Sequence, residues 1–361
     1  MQHEEARAPG VATAVYRRRG IGALGPLAVA GGVLAAVAVV ALTQGAAAIP
    51  PGTALGLLLE RLPFVDLSIA APETWERIVI DVRLPRVLTA ATVGGALAFS
   101  GATYQGVFRN PLADPFLLGV AAGAALGAAI AIVSPLDAAT YGFGWVPLLA
   151  FAGAALAVTL AYLVSSVGRT VSNVTLILAG VAISAICGSI TSFLLLTGGE
   201  RARPIFLFLF GSFNSSSWER LALAAPYLLL GAVIVGAHAR LLNVLQLDEE
   251  QAAQLGVEVA RTKLIVLAAA SLVAATAVAV AGIIGFVGLI VPHAVRMLFG
   301  GDYRRLLPLT ALMGAAFLIA ADLLSRTVIA PQEVPVGIVT AVAGAPFFLY
   351  LLRTRRVDGL R

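Results

Sequence analysis

Long apolar stretches separated by short polar turns run through nearly the whole chain. Because a helix needs about 20 mainly apolar residues to cross the bilayer core, each stretch near that length is a candidate membrane span. Ten candidates are centred in 21–43, 85–107, 114–133, 146–167, 173–197, 218–239, 262–284, 288–300, 304–325 and 335–352. The eighth is short enough to be half-buried or re-entrant. The pattern predicts an all-α, polytopic membrane protein with about ten transmembrane helices.

The second half of the chain repeats part of the first half in weaker form. Gly101 precedes Pro111 by ten residues, and Gly282 precedes Pro292 by the same interval. The six residues that end at Gly101 also align with the six that end at Gly282. Internal repeats around broken helices are typical of transporters. We therefore predict an inverted internal repeat and a transport function.

Composition and charge fix the class and favour one orientation. The chain is 60% hydrophobic and 12% charged, a balance that no soluble domain of this length needs. With ten spans both ends lie on one side, and that side holds about two thirds of the Lys and Arg, as the positive-inside bias requires. We predict a multi-pass protein of the cell inner (cytoplasmic) membrane, with a single transmembrane domain at 21–352 between cytosolic tails at 1–20 and 353–361. The apolar run 21–43 exceeds the roughly 7–15 residues of a signal-peptide core, so we interpret it as a retained helix.

Two longer segments fall outside the membrane on the predicted outer side. Residues 44–83 carry an amphipathic stretch, and residues 198–217 have an apolar middle. We expect short helices lying on the outer surface in the first segment. In the second we expect a short helix that dips back into the membrane.

The cytosolic loop at 241–263 carries the signals of two short helices joined by a glycine turn. Asp248 begins a capping box, and Glu249 and Glu250 fall in the first turn, where the helix dipole favours acids. Gly256 is suited to end that helix. The loop is either a connector or a docking surface for a cytosolic partner, and its elaboration favours docking.

The sequence offers little catalytic or metal-binding chemistry. The one cysteine, Cys187, and three scattered histidines predict no disulfide, no metal site, no cofactor and no catalytic centre. Aromatic-interleaved basic patches for nucleic acid are missing as well. Thr262 precedes Lys263 where a P-loop needs glycine, so we expect no ATP hydrolysis by that route. Acids that could couple ions inside the membrane are scarce, and Asp322 is the clearest candidate. Such a transporter must use an external motor or be a passive pore.

Several blocks together resemble the permease subunits of binding-protein-dependent ABC importers for iron-siderophores, haem and vitamin B12. The blocks are Arg83 to Arg86, Gly101 to Pro115, Leu178 to Ala182, Asp248 to Gly256, Gly285 to His293, Ala321 with Asp322, and Pro335 to Ala341. The resemblance implies ten helices per subunit and a homodimer around a central pathway. It also implies two ATP-binding ATPase subunits below the membrane and a soluble substrate-binding protein above it.

The resemblance also implies roles for residues at the matching positions. Arg83, Arg86 and Arg326 would pair with carboxylates of the binding protein, with interfacial lipid anchoring as the alternative. The ATPase would be coupled through 243–258, with contributions from Asp248, Glu249, Glu250, Leu255 and Gly256.

The fifth span and two inner loops hold the candidate pathway. Gly180, Ser184, Gly188 and Thr191 fall at helical spacing and predict either helix packing or the wall of a weakly polar pathway. The resemblance implies the second role. It also places a cytosolic gate at Asn110, Leu112, Ser172 and Asn173, which could equally be polar caps on helix ends.

The hypothesis is a permease subunit that imports a metal chelate with energy from partner ATPases. A ferric siderophore is the favoured cargo, with a corrinoid such as vitamin B12, or haem, as alternatives. An ion-coupled secondary carrier or a channel is the competing function. A membrane enzyme lacks any residue constellation that would support it.

Overall fold

A computed structural model describes residues 24–45, 47, 49–61, 71–134, 144–166 and 173–358. The predicted N-terminal tail, the end of the C-terminal tail and Ser172 lie outside these residues. The helices are α1 (Leu24–Thr43), α2 (Pro51–Leu59), α3 (Glu73–Arg77), α4 (Leu84–Phe108), α5 (Val120–Val133), α6 (Trp145–Ser165), α7 (Asn173–Thr197), α8 (Ala202–Phe210), α9 (Trp218–Ala237), α10 (Ala239–Val244), α11 (Glu249–Gln254), α12 (Val259–Ala281), α13 (Val287–Phe299), α14 (Tyr303–Thr327) and α15 (Val336–Asp358). A π-helical turn, Ile78–Arg83, makes α3 and α4 continuous.

The all-α, polytopic prediction is confirmed. Seven helices in the described part are long and apolar enough to cross a membrane: α1, α4 with its N-terminal extension, α6, α7, α9, α12 and α14. The other three predicted spans correspond to shorter apolar helices, α5, α13 and the apolar part of α15. The third span is thus shorter than predicted, because a 3-10 turn, Pro115–Leu118, and a left-handed Gly119 (φ 86°) precede α5.

Three helices form the centre of the fold. In their most apolar windows α4, α12 and α14 are 78, 72 and 61% buried, against 22% for α7 and α9. Glycines allow these helices to approach closely, as is typical of membrane helix pairs. A Cβ on Gly94 would collide with the backbone of Gly314, and one on Gly101 would collide with the backbone of Gly288. The α4 helix therefore lies against both α14 and α13 at backbone distance.

The glycine stripe at the start of the third span serves helix packing. A Cβ at Gly123 would strike the carbonyl of Gly153 on α6, and one at Gly127 would strike the carbonyl of Leu149. Gly123 and Gly127 therefore allow α5 to pack closely against α6. Gly119 differs, because it lies before α5 in the left-handed conformation.

The internal repeat has a coarse structural counterpart. In each half a long helix, α4 or α12, is followed by an irregular segment and a short helix, α5 or α13. The residue-by-residue alignment does not extend to the backbone: Gly101 lies inside α4, whereas Gly282 (φ 75°) ends α12. The second break comes earlier because the chain leaves helical geometry at Gly282.

The predicted short helix in 198–217 is α8. The segment that contains it hydrogen-bonds to the irregular backbone that follows α12. The backbone N–H of Ile283 donates to Phe208 O, and that of Ser212 donates to Ala281 O. The N–H of Val336, at the start of α15, donates to Gly211 O. Irregular backbone is tolerated at membrane depth when protein groups satisfy it. The α8 segment does this for the break between α12 and α13.

Candidate functional site

Arg83, the first predicted docking residue, is buried at the end of α1. It is 5% exposed, and its Nη1 donates to Leu42 O (2.7 Å) and Thr43 O (3.0 Å). Its Nη2 donates to Ala47 O. These are carbonyls at and beyond the C-terminal end of α1, where a cation is favoured by the helix dipole. Arg83 therefore holds α1 against the start of α4.

Arg86 and Arg326 belong to a buried four-residue ion cluster with Asp322 and Glu333. Arg86 Nη2 lies 2.8 Å from Asp322 Oδ1, and Arg86 Nη1 lies 2.9 Å from Glu333 Oε1. Arg326 Nε lies 3.5 Å from Asp322 Oδ2, and its Nη2 donates to Ala41 O (2.5 Å). The side chains of Asp322, Arg326 and Arg86 are 0, 7 and 12% exposed. The cluster ties α4, α14 and α1 together.

These contacts within the chain bear on the predicted docking role of the three arginines. The guanidinium groups of Arg83, Arg86 and Arg326 are engaged by partners within the chain. Glu333, with a side chain 33% exposed, is the accessible edge of the cluster. A docking role for the three arginines stays a prediction. Their internal role could not be seen in the sequence, since the partners of Arg86 lie more than 200 positions away.

The predicted ATPase-coupling loop contains one short helix, α11, in front of α12. The second predicted helix is the first turn of α12, which begins at Val259. The capping-box prediction is wrong, because the Asp248 side chain makes no cap hydrogen bond. It accepts instead from Arg109 Nη1 (3.1 Å), which also donates to Leu247 O (3.1 Å). Arg109 ends α4 in the left-handed conformation (φ 51°), so its contact with Asp248 links α11 to the end of the central helix.

Glu249 connects α11 to two further helices through Lys263. Lys263 Nζ lies 2.5 Å from Glu249 Oε1, and it donates to Asn173 Oδ1 at 3.1 Å. Lys263 belongs to α12, and Asn173 is the first residue of α7. The hydrogen bond from Lys263 lowers the pKa of the Glu249 carboxyl below its usual value. A predicted coupling residue and a predicted gate residue thus share one ammonium group.

The end of α11 presents an apolar side chain to the surroundings. Leu255 is 64% exposed. Gly256 follows with φ 82°, and a Cβ there would meet no atom within 4 Å. The turn needs the left-handed backbone that glycine adopts without strain. Together with Glu250, which is exposed on the same short helix, these residues form an accessible patch of mixed character.

The predicted pathway residues on α7 divide into two groups. Gly180 packs against the backbone of Leu117, and Thr191 is 4% exposed and bonds to Cys187 O. Ser184 bonds to its own helix at Gly180 O. A Cβ at Gly188 would have no atom within 4 Å. The packing interpretation therefore fits Gly180 and Thr191, and the lining interpretation fits Gly188.

A neighbouring face of α7 is exposed and weakly polar. Its small residues are Ala182, Ala185, Ser189 and Ser192. They lie three or four positions apart, so they share one stripe of the helix. The predicted pathway residues lie on the adjacent stripe, because the spacing of Gly, Ser and Thr in the sequence does not show which side of α7 meets α5 and α6.

The remaining predicted gate residues lie at the ends of helices. Asn110 Oδ1 accepts from the backbone N–H of Leu112 at 2.9 Å, which is the geometry of an Asx turn. Leu112 is 41% exposed. Asn173 lies beside Lys263, as described above, and Ser172 falls outside the described residues. The structure therefore gives Asn110 a turn-forming role, and its function as a gate stays a prediction.

Within the described residues no group of three His, Cys, Asp or Glu side chains could hold a metal ion. The sites defined by the fold are those of a polytopic helical membrane protein: a buried ionic cluster at one end, a projecting short helix at the other, and exposed helix faces between them. The sequence profile of the FecCD transport family matches residues 33–354. The chain therefore belongs to this family of transport proteins.

Three similar proteins are named as permeases for cobalamin, hemin and ferric dicitrate. The cobalamin import system permease protein BtuC of Halobacterium salinarum is 45% identical, with 91% of this chain and 90% of that protein covered. The hemin transport system permease protein HmuU of Yersinia pestis is 43% identical over 77% of this chain and 84% of its own. The Fe(3+) dicitrate transport system permease protein FecD of Escherichia coli is 39% identical over 76% of this chain and 85% of its own.

A solved structure resembles the fold over nearly its whole length. It is described as an inward-facing conformation of an ABC transporter assigned to the metal-chelate type. It aligns with a TM-score of 0.76 and 35% identity, covering 91% of this chain and 98% of that one.

Proposed function

We propose that the chain is the permease subunit of an ABC importer for a metal chelate, with partner ATPases supplying the energy. Family membership and relatives named for cobalamin, hemin and ferric dicitrate support the transport class. The cargo is a chelated metal ion carried whole. A ferric siderophore or a corrinoid fits this description, and haem is a further member of the same class.

The observation that carries the proposal is the projecting helix α11. Leu255 and Glu250 are exposed there. Arg109 and Lys263 form ion pairs with Asp248 and Glu249 at the start of the helix. A connector alone would not need an exposed leucine at the end of a helix whose acids pair with Arg109 and Lys263. An ATPase subunit on the cytosolic side would bind this patch through apolar area at Leu255.

In the complete assembly two copies of the chain would enclose the pathway. Small side chains on the exposed stripe of α7, such as Ser189 and Ser192, suit a wall past which a bulky chelate slides. A soluble binding protein would deliver the chelate at the opposite end, near Glu333 and the cluster of Arg86 and Arg326. Both ends of the chain would lie in the cytosol, and surrounding lipid would cover the other apolar faces.

The secondary-carrier alternative is disfavoured by one contact. Asp322, the acid best suited to ion coupling in the sequence, is fully buried and paired with Arg86 and Arg326. With its oxygens engaged by two guanidinium groups, this carboxylate is not open to a coupling cation. Its position fits a structural role at a helix end.

Copurification tests the proposal directly. The chain is co-expressed with the ATPase of its own transport system, and Leu255→Asp is compared with Leu59→Asp. Both leucines are exposed, 64 and 46%, and Leu59 lies on α2, on the predicted outer side. The proposal predicts that Leu255→Asp loses the ATPase and that Leu59→Asp retains it. Retention in both variants would contradict docking at α11.

A further inference from the structure

Lys263 is the one lysine of the chain, and it lies at the meeting point of three helices. Its side chain is 13% exposed, whereas that of Glu249 is 54% exposed. The ammonium group satisfies Glu249 on α11 and Asn173 on α7 from its own position on α12. A largely buried cation needs such partners, because an unpaired one is costly.

The contacts of Lys263 with Glu249 and Asn173 lie in a largely apolar cleft. Between α6, α7, α11 and α12 lies a cleft of about 550 Å³. Its lining is largely apolar, including Leu176, Leu264, Leu267 and Val259. In the described part of the chain, the ion pair and hydrogen bond of Lys263 form the polar link that the structure gives across this cleft.

The two basic side chains that pair with the acids of α11 belong to different kinds of helix. Arg109, which pairs with Asp248 and lies 3.9 Å from Glu249, ends α4, which is 78% buried at the centre of the fold. Lys263 leads to Asn173 and hence to α7, which is 22% buried. The first side chain links α11 to the central helix α4. The second links it to α7, which packs against α5 and α6 and leaves its other face open.

We propose that Lys263 is a positioning residue that makes the first turn of α7 follow α11. This inference rests on the proposed function, in which an ATPase binds α11 and α7 borders the pathway. When the ATPases displace α11, Glu249 moves with it, and the ammonium group shared with Asn173 transmits the displacement to the cytosolic end of α7.

The first test uses the full chain without partners. Cys187→Ala removes the one native cysteine, and spin labels are attached at Gln254 on α11 and at Val174 on α7, both exposed. Lys263→Met should broaden the label-to-label distance distribution and shift it to longer values. The matched control is Arg109→Met, which removes both ion pairs of Arg109 with Asp248 and Glu249 and should leave the α11–α7 linkage through Lys263 in place. An unchanged distribution in Lys263→Met would overturn the proposal.

The second test measures coupling in the reconstituted complex with its ATPase. Lys263→Met should lower the number of chelates moved per ATP hydrolysed by at least about fivefold, the low end of typical coupling between sites. The charge exchange Lys263→Glu with Glu249→Lys restores this ion pair and should recover part of that loss, because the exchanged cation also faces Arg109. Wild-type coupling in Lys263→Met would contradict the role.

The two tests separate two kinds of failure. If the wild-type chain does not bind the ATPase, the proposed function fails, and the label distances still decide whether Lys263 links α11 to α7. If the ATPase binds and Lys263→Met changes neither distances nor coupling, the positioning role alone is refuted.

Discussion

Asp322→Ala should be among the most destabilising single substitutions in this protein. Asp322 is fully buried and accepts hydrogen bonds from Arg86 Nε (3.0 Å) and Nη2 (2.8 Å). It is also the ion-pair partner of Arg326 at 3.5 Å. The substitution removes one of two negative charges from a cluster with two positive ones, so one guanidinium group loses its compensation.

The size of the destabilisation depends on which arginine loses its only carboxylate partner. Arg86 keeps Glu333 at 2.9 Å. Arg326 is 7% exposed and keeps the carbonyl of Ala41, which is a weaker partner than a carboxylate. Breaking a buried ion pair by removing one partner costs about 3–5 kcal/mol. We expect a loss in that range, and a smaller loss for Asp322→Asn, which retains an acceptor oxygen.

The assay is equilibrium unfolding of the purified protein in detergent micelles, with a matched exposed pair as the control. Glu76 pairs with Arg61 at 2.6 Å, and the two side chains are 42 and 62% exposed. Exposed pairs contribute about 0–1 kcal/mol, so Glu76→Ala should be nearly neutral. Equal, small losses in Asp322→Ala and Glu76→Ala would refute the buried-cluster argument.

Three further predictions test packing, docking and protonation. Gly101→Val should prevent stable insertion, because its side chain would enter the backbone of α13, whereas Gly188→Ala should be tolerated in open space; expression of monodisperse protein distinguishes them. Leu255→Ala should weaken ATPase binding less than a charged substitution does, measured as the apparent affinity in micelles. Because Lys263 lowers the pKa of Glu249, their contact is present at neutral pH and is lost only as the pH falls through that depressed value. Label distances between α11 and α7 should therefore stay constant from pH 7 to about pH 5 and change at lower pH.

The sequence predicted the helices well because membrane spans impose a long, simple pattern. The ten predicted spans correspond to the seven long and three shorter apolar helices found in the described part of the chain. Helices are expected there because a backbone in hydrocarbon must satisfy its own hydrogen bonds. The third span came out short because of a local conformation, the left-handed Gly119, which an apolar run does not reveal. Hydropathy averages over such breaks.

The charged residues were harder to interpret, and the reason is distance along the chain. Arg86 stands at a helix end, as a docking residue or lipid anchor would, yet its partner Asp322 is 236 positions away. The same holds for Asp248, whose local spacing suits a cap but whose carboxylate bonds to Arg109, 139 positions earlier. Local patterns place a charge at a helix end, and only the packing of the helices shows which group it meets.

We propose that this chain moves a metal chelate when partner ATPases act on α11. The most direct measurement is uptake of a labelled chelate into proteoliposomes that hold the chain with its ATPase, with the binding protein on the substrate side. The account predicts uptake that requires ATP, the ATPase and the binding protein, and that is lost in Leu255→Asp. Uptake by the chain alone, driven by an ion gradient and unaffected by ATP, would contradict it.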